Sequence, residues 1–239
     1  MIKEAIEKIL DLGKIEQVVI DWRNYTSKVL VPVKKPTPNV LTVHTLSGLV
    51  DYLTGEIDGP KETQKNHFIH VVDPCHVDIS ATFKGDSFFE RPYFVAAVFD
   101  PPAIQSGQHA SLESFIIGLQ AYFVQDEHTA ALLKLVGNIK DESVTQFTDD
   151  GRTQAVTART GISLTEIAPV PNPVVLRPFR TFPEIEQPES LFVFRLRQQE
   201  KQAPACGLWE ADNKLWKVEA IKSIATWLRE KLPGVKIIA

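Results

Sequence analysis

The stretch that most constrains the fold of this chain is Pro171–Arg197, which reads PNPVVLRPFRTFPEIEQPESLFVFRLR. Its apolar and β-branched runs at Val174–Phe182 and Leu191–Arg197 predict two strands, and the polar, proline-bearing sequence between them predicts a loop. We therefore expect two partner strands here. The two strands carry four arginines and several phenylalanines. The function of this segment therefore depends on which of these side chains face the core and which face the solvent.

The remaining 212 of the 239 residues mix helical and strand-like patterns. Apolar residues at i, i+3 and i+4 spacing predict helices, and alternating or β-branched runs predict strands. The sequence therefore predicts an α+β fold, with a mostly antiparallel sheet and a few helices packed on it. The predicted helices are Ile2–Leu12, Leu46–Leu53 capped by Thr45, Ser111–Phe123 capped by Ser111, Glu127–Val136 ending at Gly137-Asn138, and Leu215–Leu232. The further predicted strands are Ile15–Trp22, Val40–Val43, the hairpin His67–Phe83, Tyr93–Phe99, the hairpin Val144–Thr160, Ala205–Glu210 and Val235–Ala239. The alternative for Ile15–Trp22 is an extension of the first helix past Gly13.

Two segments look separate from the main body. The sequence KVLVPVKKPTPN, with its prolines and lysines, predicts an extended arm, so we expect residues 1–36 to form an N-terminal helix and arm and residues 37–239 to form a single α+β domain. The hairpin Val144–Thr160 is centred on Asp150-Gly151, is rich in threonine and is polar on both faces. Because burial holds such a hairpin weakly, we expect it to project or to pair with another subunit, which favours a homo-oligomer.

Composition excludes several classes of protein. The chain has a net charge of −4 and only two cysteines, so neither a strongly basic nucleic-acid binder nor a disulfide scaffold is expected. No apolar run approaches the roughly 20 residues of a membrane span. The first residues lack the apolar core of a secretory signal, and we therefore expect a cytoplasmic protein without a membrane partner.

Several short motifs resemble those of a known family. They are Asp149-Asp150-Gly151, Thr153-Gln154, Thr160-Gly161-Ile162, Pro171-Asn172-Pro173, Leu176–Phe182, Glu186-Gln187-Pro188 and Phe192–Arg197, with Thr45-Leu46 and Gly48–Leu53 nearer the N-terminus. These motifs resemble those of the YfdQ-like prophage proteins, a family known only as a domain of unknown function. The resemblance spans roughly residues 40 to 200 and implies a phage or prophage origin. It implies no activity and no catalytic residues.

Histidines and aspartates cluster in the first predicted hairpin, at His67, His70, Asp73, His76 and Asp78. Imidazole and carboxylate groups together suit zinc, manganese or iron, so the cluster is a candidate metal site. Side chains alternate along a strand, so His67 and His70 should point to opposite faces. The alternative is a hairpin with exposed histidines and with Asp73 serving the turn.

The arginine–aromatic stretch is the second candidate site. Arginines on a sheet face can follow phosphates, and exposed aromatic rings can stack on bases. In the second strand, Phe192 and Phe194 should share one face and Arg195 and Arg197 the other. The alternative is that the phenylalanines fill the core and the arginines pair with nearby glutamates. The candidate nucleic-acid or nucleotide-binding residues are Arg177, Phe179, Arg180, Arg195 and Arg197.

Two other groups of residues are interpreted as structural. Cys75 and His76 are neighbours, but neighbours on a strand point apart, which argues against a nucleophile and its base. Trp209, Trp216 and Trp227 gather near the C-terminus, where core packing explains them.

No complete catalytic motif occurs in the chain, and no cofactor is predicted. We expect a non-enzymatic phage protein that acts by self-assembly or by binding. Two other functions stay open. One is a metal-assisted hydrolase that uses the His67–Asp78 cluster, and the other is a protein that binds single strands or nucleotides through the Arg177–Arg197 strands.

Overall fold

The computed structural model describes residues 2–13, 17–26, 39–57, 67–82, 91–141, 143–149, 154–160, 163–166, 172–199 and 202–239. These residues fall into two compact units, Met1–Asn39 and Val40–Ala239. The predicted Pro/Lys arm falls almost entirely outside the described residues. None of the helices in the described ranges is long and apolar enough to cross a membrane.

The N-terminal unit consists of one helix and one hairpin. Helix α1 (Ile2–Gly13) has its apolar side chains on one stripe, as the spacing predicts. Strands β1 (Gln17–Ile20) and β2 (Arg23–Thr26) pair antiparallel, with Ile20 opposite Arg23. The predicted strand Ile15–Trp22 therefore ends early, because Asp21 and Trp22 both adopt positive φ and form a two-residue turn.

The second unit has an α+β fold, as the sequence predicts. Its strands lie in three sheets, and most pairings are antiparallel. In chain order the elements are β3 (Leu41–Val43), α2 (Leu46–Thr54), β4 (His67–Asp73), β5 (His76–Ala81), β6 (Tyr93–Val98), β7 (His109–Ser111), α3 (Leu112–Tyr122), α4 (Glu127–Asp141), β8 (Ser143–Asp149), β9 (Gln154–Thr160), β10 (Ser163–Glu166), β11 (Val174–Leu176), β12 (Ser190–Gln199), β13 (Gln202–Glu210), α5 (Trp216–Lys231) and β14 (Lys236–Ile238).

The first sheet has the order β14-β4-β5-β6-β3, and its two outer strands pair parallel with their neighbours. Helices α2 and α5 bury their apolar stripes in the core on this sheet, with Leu46, Leu49, Ile224 and Leu228 fully enclosed. The predicted cap of α2 is confirmed, since Oγ1 of Thr45 accepts a hydrogen bond from the Gly48 amide (3.0 Å).

The second sheet has the order β11-β12-β13-β7 and is antiparallel throughout. Helices α3 and α4 pack on one face of it and form a second core. The predicted end of α4 at Gly137-Asn138 is wrong, because the helix continues to Asp141. Ile139 is buried in this core, and its packing outweighs the roughly 1 kcal/mol that a glycine costs inside a helix.

The segment between β11 and β12 joins the two cores. Val174 and Leu176 belong to the core of the second sheet, whereas Phe182 and Ile185 belong to the core of the first. The predicted strand Val174–Phe182 is therefore wrong in its second half. Pro178 has no N–H to donate to a ladder, so the strand ends at Leu176 and the chain turns toward the other sheet.

Strands β8, β9 and β10 form a third sheet, in the order β10-β9-β8. The predicted threonine-rich hairpin is present, with Asp149 opposite Gln154, but its Asp150-Gly151 turn lies outside the described residues. This sheet pairs with no strand of the other two sheets within the described part of the chain.

Candidate nucleic-acid interface

The arginines of the predicted site have two different environments. Arg177 follows β11 directly, and its guanidinium contacts two carboxylates. Its Nε donates to Oδ2 of Asp126 (3.1 Å) and its Nη1 donates to Oε1 of Glu186 (2.6 Å). Burial alone would raise the pKa of Asp126, but hydrogen bonds from Thr129 and Arg177 outweigh it and lower that pKa. Arg177 thus forms ion pairs with Asp126, just before helix α4, and with Glu186, in the segment between β11 and β12.

Arg180 is buried at the junction of the two cores. Its Nη1 donates to Oε1 of Glu210 (2.7 Å), and its Nη2 donates to the hydroxyl of Ser190, which in turn donates to Asp212. The guanidinium also lies over the ring of Trp216, with Cζ 3.9 Å from the ring centroid. Burial lowers the pKa of Arg180, while Glu210 opposes that change.

Hydrogen bonds also fix the chain around Arg180. The side-chain oxygen of Gln187 accepts from the Arg180 amide (3.0 Å), and Oγ1 of Thr181 donates to the carbonyl of Pro74 (2.5 Å) in the β4–β5 turn. These contacts connect β12, β13, α5 and the first sheet at one point. We call Arg180, Ser190, Glu210, Asp212 and Trp216 the Arg180 cluster; its geometry indicates a structural role.

Arg195 and Arg197 lie on the opposite face of the second sheet from its helices. Phe192, Phe194 and Leu196 point into the core, as the predicted alternation requires. The register places Arg195 opposite Gly207 and Arg197 opposite Ala205 on β13. We call this helix-free surface the outer face; its side chains come from Val193, Arg195, Arg197, Trp209 and His109.

The indole of Trp209 lies across the outer face. A Cβ atom built on Gly207 would be only 2.6 Å from Cη2 of Trp209, so the ring occupies the space where another residue would have its side chain. The His109 ring packs edge-on against the indole, with the centroids 4.9 Å apart. Trp209 remains partly exposed and His109 is exposed. Two aromatic rings therefore lie beside Arg195 and Arg197.

The outer face carries two arginines. At the positions where β12, β13 and β7 are paired in register, its residues include no aspartate or glutamate. Burial lowers the pKa of His109, and the nearby positive charge of Arg197 lowers it further. The face thus combines two permanent cations, a histidine that favours its neutral form, and an indole.

The remaining predicted residue of this site, Phe179, is separate from the outer face. It lies in the loop after β11, where its amide donates to the Tyr122 carbonyl (2.9 Å), and it is 37% exposed. The structure therefore brings together Arg195 and Arg197 and places Arg177, Phe179 and Arg180 elsewhere.

The histidine cluster spreads over β4 and β5. His67 shares a face of β4 with the buried Ile69 and Val71, while His70 is exposed on the other face. His70 lies opposite Asp78 in the register, and Nε2 of His76 hydrogen-bonds to Oδ1 of Asp78 (2.7 Å). Asp73 accepts from the Cys75 amide (2.7 Å) and so serves the turn. Across the ranges that the structure describes, no group of three or more His, Cys, Asp or Glu side chains is placed to hold a metal ion.

The two thiols are poor nucleophiles. Burial, reinforced by Asp73, raises the pKa of Cys75 to about 11, and its Sγ donates to the Arg180 carbonyl (3.4 Å). Burial raises the pKa of Cys206 to about 12. Both cysteines therefore remain protonated near neutral pH, and a thiolate mechanism has no support here.

Comparison of the chain with protein-family models, with curated proteins and with solved structures finds no match. The candidate interface therefore rests on the chemistry of its own residues.

Sequence reasoning missed His109 and Trp209. Trp209 was interpreted as core, and His109 was not considered. One local signal was available, because Gly207 lies two residues before Trp209 in a strand, and a glycine at such a spacing leaves room for a ring to lie on the sheet. The pairing of β7 with β13 joins residues about 100 positions apart and leaves no comparable signal.

Proposed function

We propose that this chain is a non-enzymatic binding protein whose outer face holds single-stranded nucleic acid. The observation that carries the proposal is the presence of Trp209, His109, Arg195 and Arg197 on one sheet face, with no acidic residue at the paired positions. The phage or prophage origin implied by the motifs quoted above is part of the same proposal. An accessory role in phage nucleic-acid metabolism is consistent with both.

Each group has a defined part in this binding. Stacking of a base on an aromatic side chain contributes about 1–3 kcal/mol and depends little on sequence. Each arginine that contacts a phosphate releases counterions, so the logarithm of the affinity falls by about 0.7 per contact for each tenfold rise in salt. The net charge of −4 gives no attraction over the whole molecule, so binding depends on this local face.

Replacement of both outer-face arginines tests the phosphate contacts. We expect Arg195→Gln with Arg197→Gln to reduce the affinity for a fluorescent 20-nucleotide oligothymidylate and to reduce the salt slope by about 1.4, measured by anisotropy. The control is Arg177→Gln, which removes one positive charge rather than two and lies in the same part of the chain but away from the outer face. It should leave the affinity within about twofold.

Replacement of Trp209 by leucine tests the stacking contact. We expect a loss of about 5- to 150-fold in affinity with little change in salt slope, because the ring carries no charge. Undetectable binding of the native protein at low salt would remove the proposal. So would equal binding by the native protein and the double arginine variant, provided that circular dichroism shows both to be folded.

We infer self-assembly as a second candidate function, carried by the third sheet. Strands β8 and β10 each have one edge without a partner strand among the described residues, and an open edge is a template for pairing with another chain. Helix α1 adds exposed apolar side chains, with Ile2, Ile9 and Leu12 each at least 68% exposed. Both features are typical of elements that a second copy covers.

Native mass spectrometry of the full chain tests this assembly. We expect an oligomer that shifts toward the monomer when Gln146→Lys and Thr165→Lys place charges on the edge strands β8 and β10, since edge lysines oppose strand pairing. The control is Gln154→Lys with Thr157→Lys, which adds the same charge to the central strand β9. A monomeric native protein at micromolar concentration, or equal effects of the two pairs of substitutions, contradicts this candidate.

A further inference from the structure

A cavity of about 250 Å³ lies between helix α3 and residues 104–108, on the helical side of the second sheet and beside its edge strand β7. Two hydrogen bonds hold the loop that forms one wall. The Leu208 carbonyl accepts from the Gly107 amide (2.8 Å) and from the Ser106 hydroxyl (3.3 Å). The wall is therefore in place before any ligand binds, as in most small-molecule sites.

The opposite wall is a depression in the surface of α3. Ser114, Gly118 and Tyr122 follow one another at four-residue spacing, so they share one stripe of the helix, and all three line the cavity. For a Cβ atom built on Gly118, the nearest side-chain atom would be Cδ2 of Tyr122, at 3.9 Å. The missing side chain of Gly118 therefore leaves the space between Ser114 and Tyr122 open.

The base of the cavity is apolar and largely aromatic. Phe115, Leu119, Phe123 and Leu208 line it, belong to the core of the second sheet and are each at most 7% exposed. The half-buried Tyr122 adds a third aromatic residue. Aromatic pairs gain free energy from edge-to-face and offset contacts, beyond the gain from burial of their surface. This base therefore favours an aromatic ligand.

The rim of the cavity is polar but uncharged. Gln105, Gln108 and Ser114 line it, and all three are exposed. None of the described residues that line the cavity is an aspartate, glutamate, lysine, arginine or histidine. A charged group on a ligand would lose part of its hydration here without meeting an opposite charge, whereas a hydroxyl group can hydrogen-bond to an amide side chain. The rim therefore favours an uncharged polar group.

The volume indicates the size of the ligand. An apolar cavity of about 150 Å³ binds benzene, which corresponds to roughly 25 Å³ for each carbon atom. At the same packing, a cavity of 250 Å³ holds about ten carbon atoms. This number corresponds to two fused six-membered rings.

We propose that this cavity binds an uncharged bicyclic aromatic molecule, with its rings on the base beside Gly118 and its polar group at the glutamine rim. The proposal goes beyond the function assigned to the outer face and does not depend on it. Its two distinguishing properties are selectivity against charge and dependence on the open space at Gly118.

Titration of the full-length protein with three naphthalene derivatives, followed by protein-detected NMR, tests the charge selectivity. We expect 2-naphthylmethanol to bind saturably at one site with Kd of roughly 1 mM or tighter, as ligands of this size give. The largest shifts should fall on the backbone amides of residues 104–108 and 114–122. The cation 2-naphthylmethylammonium and the anion 2-naphthoate, which carry the same rings, should each bind at least about fivefold more weakly.

Replacement of Gly118 by leucine tests the position of the ligand. The new side chain occupies the open space, so we expect at least about tenfold weaker binding of 2-naphthylmethanol. The matched control is Gly137→Leu, because Gly137 also lies inside a helix and has open space at its Cβ position, but does not line the cavity. It should leave the affinity within about twofold, and neither variant should change the affinity for oligothymidylate.

Four results would each overturn the proposal. They are no binding of 2-naphthylmethanol at millimolar concentration, equal binding of the charged derivatives, native affinity in a folded Gly118→Leu variant, and shifts that centre on another part of the chain. If Gly118→Leu does not fold, the three derivatives and the positions of the shifted amides still decide.

Discussion

Replacement of Arg180 by methionine is expected to destabilise the protein by about 3–5 kcal/mol. Methionine keeps much of the length of the side chain but removes the positive charge that Glu210 contacts at 2.7 Å. Glu210 then loses its buried cationic partner, and the Ser190 hydroxyl that donates to Asp212 loses a donor of its own. Urea denaturation followed by circular dichroism measures the loss, which is a large part of the 5–15 kcal/mol that stabilises a typical protein.

The matched control is Arg177→Met. Arg177 also contacts two carboxylates, but Glu186 is 81% exposed, so water replaces much of what the arginine provides. We expect a loss of about 1–2 kcal/mol from the contact with the less exposed Asp126. Equal losses in the two variants would contradict the larger contribution to stability that we assign to the buried contacts of Arg180. Recovery of stability when Arg180→Met is combined with Glu210→Gln would support the buried ion pair.

Replacement of Phe182 by alanine is expected to cost about 3–5 kcal/mol, as for other fully buried phenylalanines. Phe182 is fully enclosed and lies 5.8 Å from Phe99, measured between ring centroids. The substitution opens a cavity in the core of the first sheet, although Phe182 belongs to a loop that begins at the second sheet. Thermal and urea unfolding both report this loss.

Phe179→Ala is the control for that prediction. Phe179 is 37% exposed and belongs to neither core cluster, so its removal should cost about 1 kcal/mol or less. A loss at Phe179 that equals the loss at Phe182 would contradict the path of the chain between the two cores.

All four of these substitutions lie in the segment Pro171–Arg197, where sequence reasoning predicted one strand correctly and the residues before it wrongly. The alternation of β12 was predictable, because period-two patterning places Phe192 and Phe194 in the core and Arg195 and Arg197 outside. The RPFRTF motif was not predictable in the same way. Once Pro178 ends the strand, alternation no longer applies, and tertiary contacts alone decide that Arg180 and Phe182 are buried while Phe179 is exposed.

The same limit applies to the candidate interface and to the helices. Caps are local, so Thr45 and Ser111 were identified from a few neighbouring residues. The end of α4 was missed because Ile139 packs on a distant sheet and overrides the local signal of Gly137. The partnership of His109 with Trp209 depends on the pairing of β7 with β13, which only the folded chain establishes.

The path of residues 177–189 between the two cores has a consequence for how the second unit folds and unfolds. The core of the first sheet takes side chains from both ends of the unit, and the core of the second sheet takes them from the middle. The core of the first sheet cannot be completed by one uninterrupted piece of chain, and the linking segment, which lies inside the piece that forms the second core, supplies side chains to both. We therefore expect a single cooperative transition, and we expect that expressing the middle of the chain alone yields no independently folded domain.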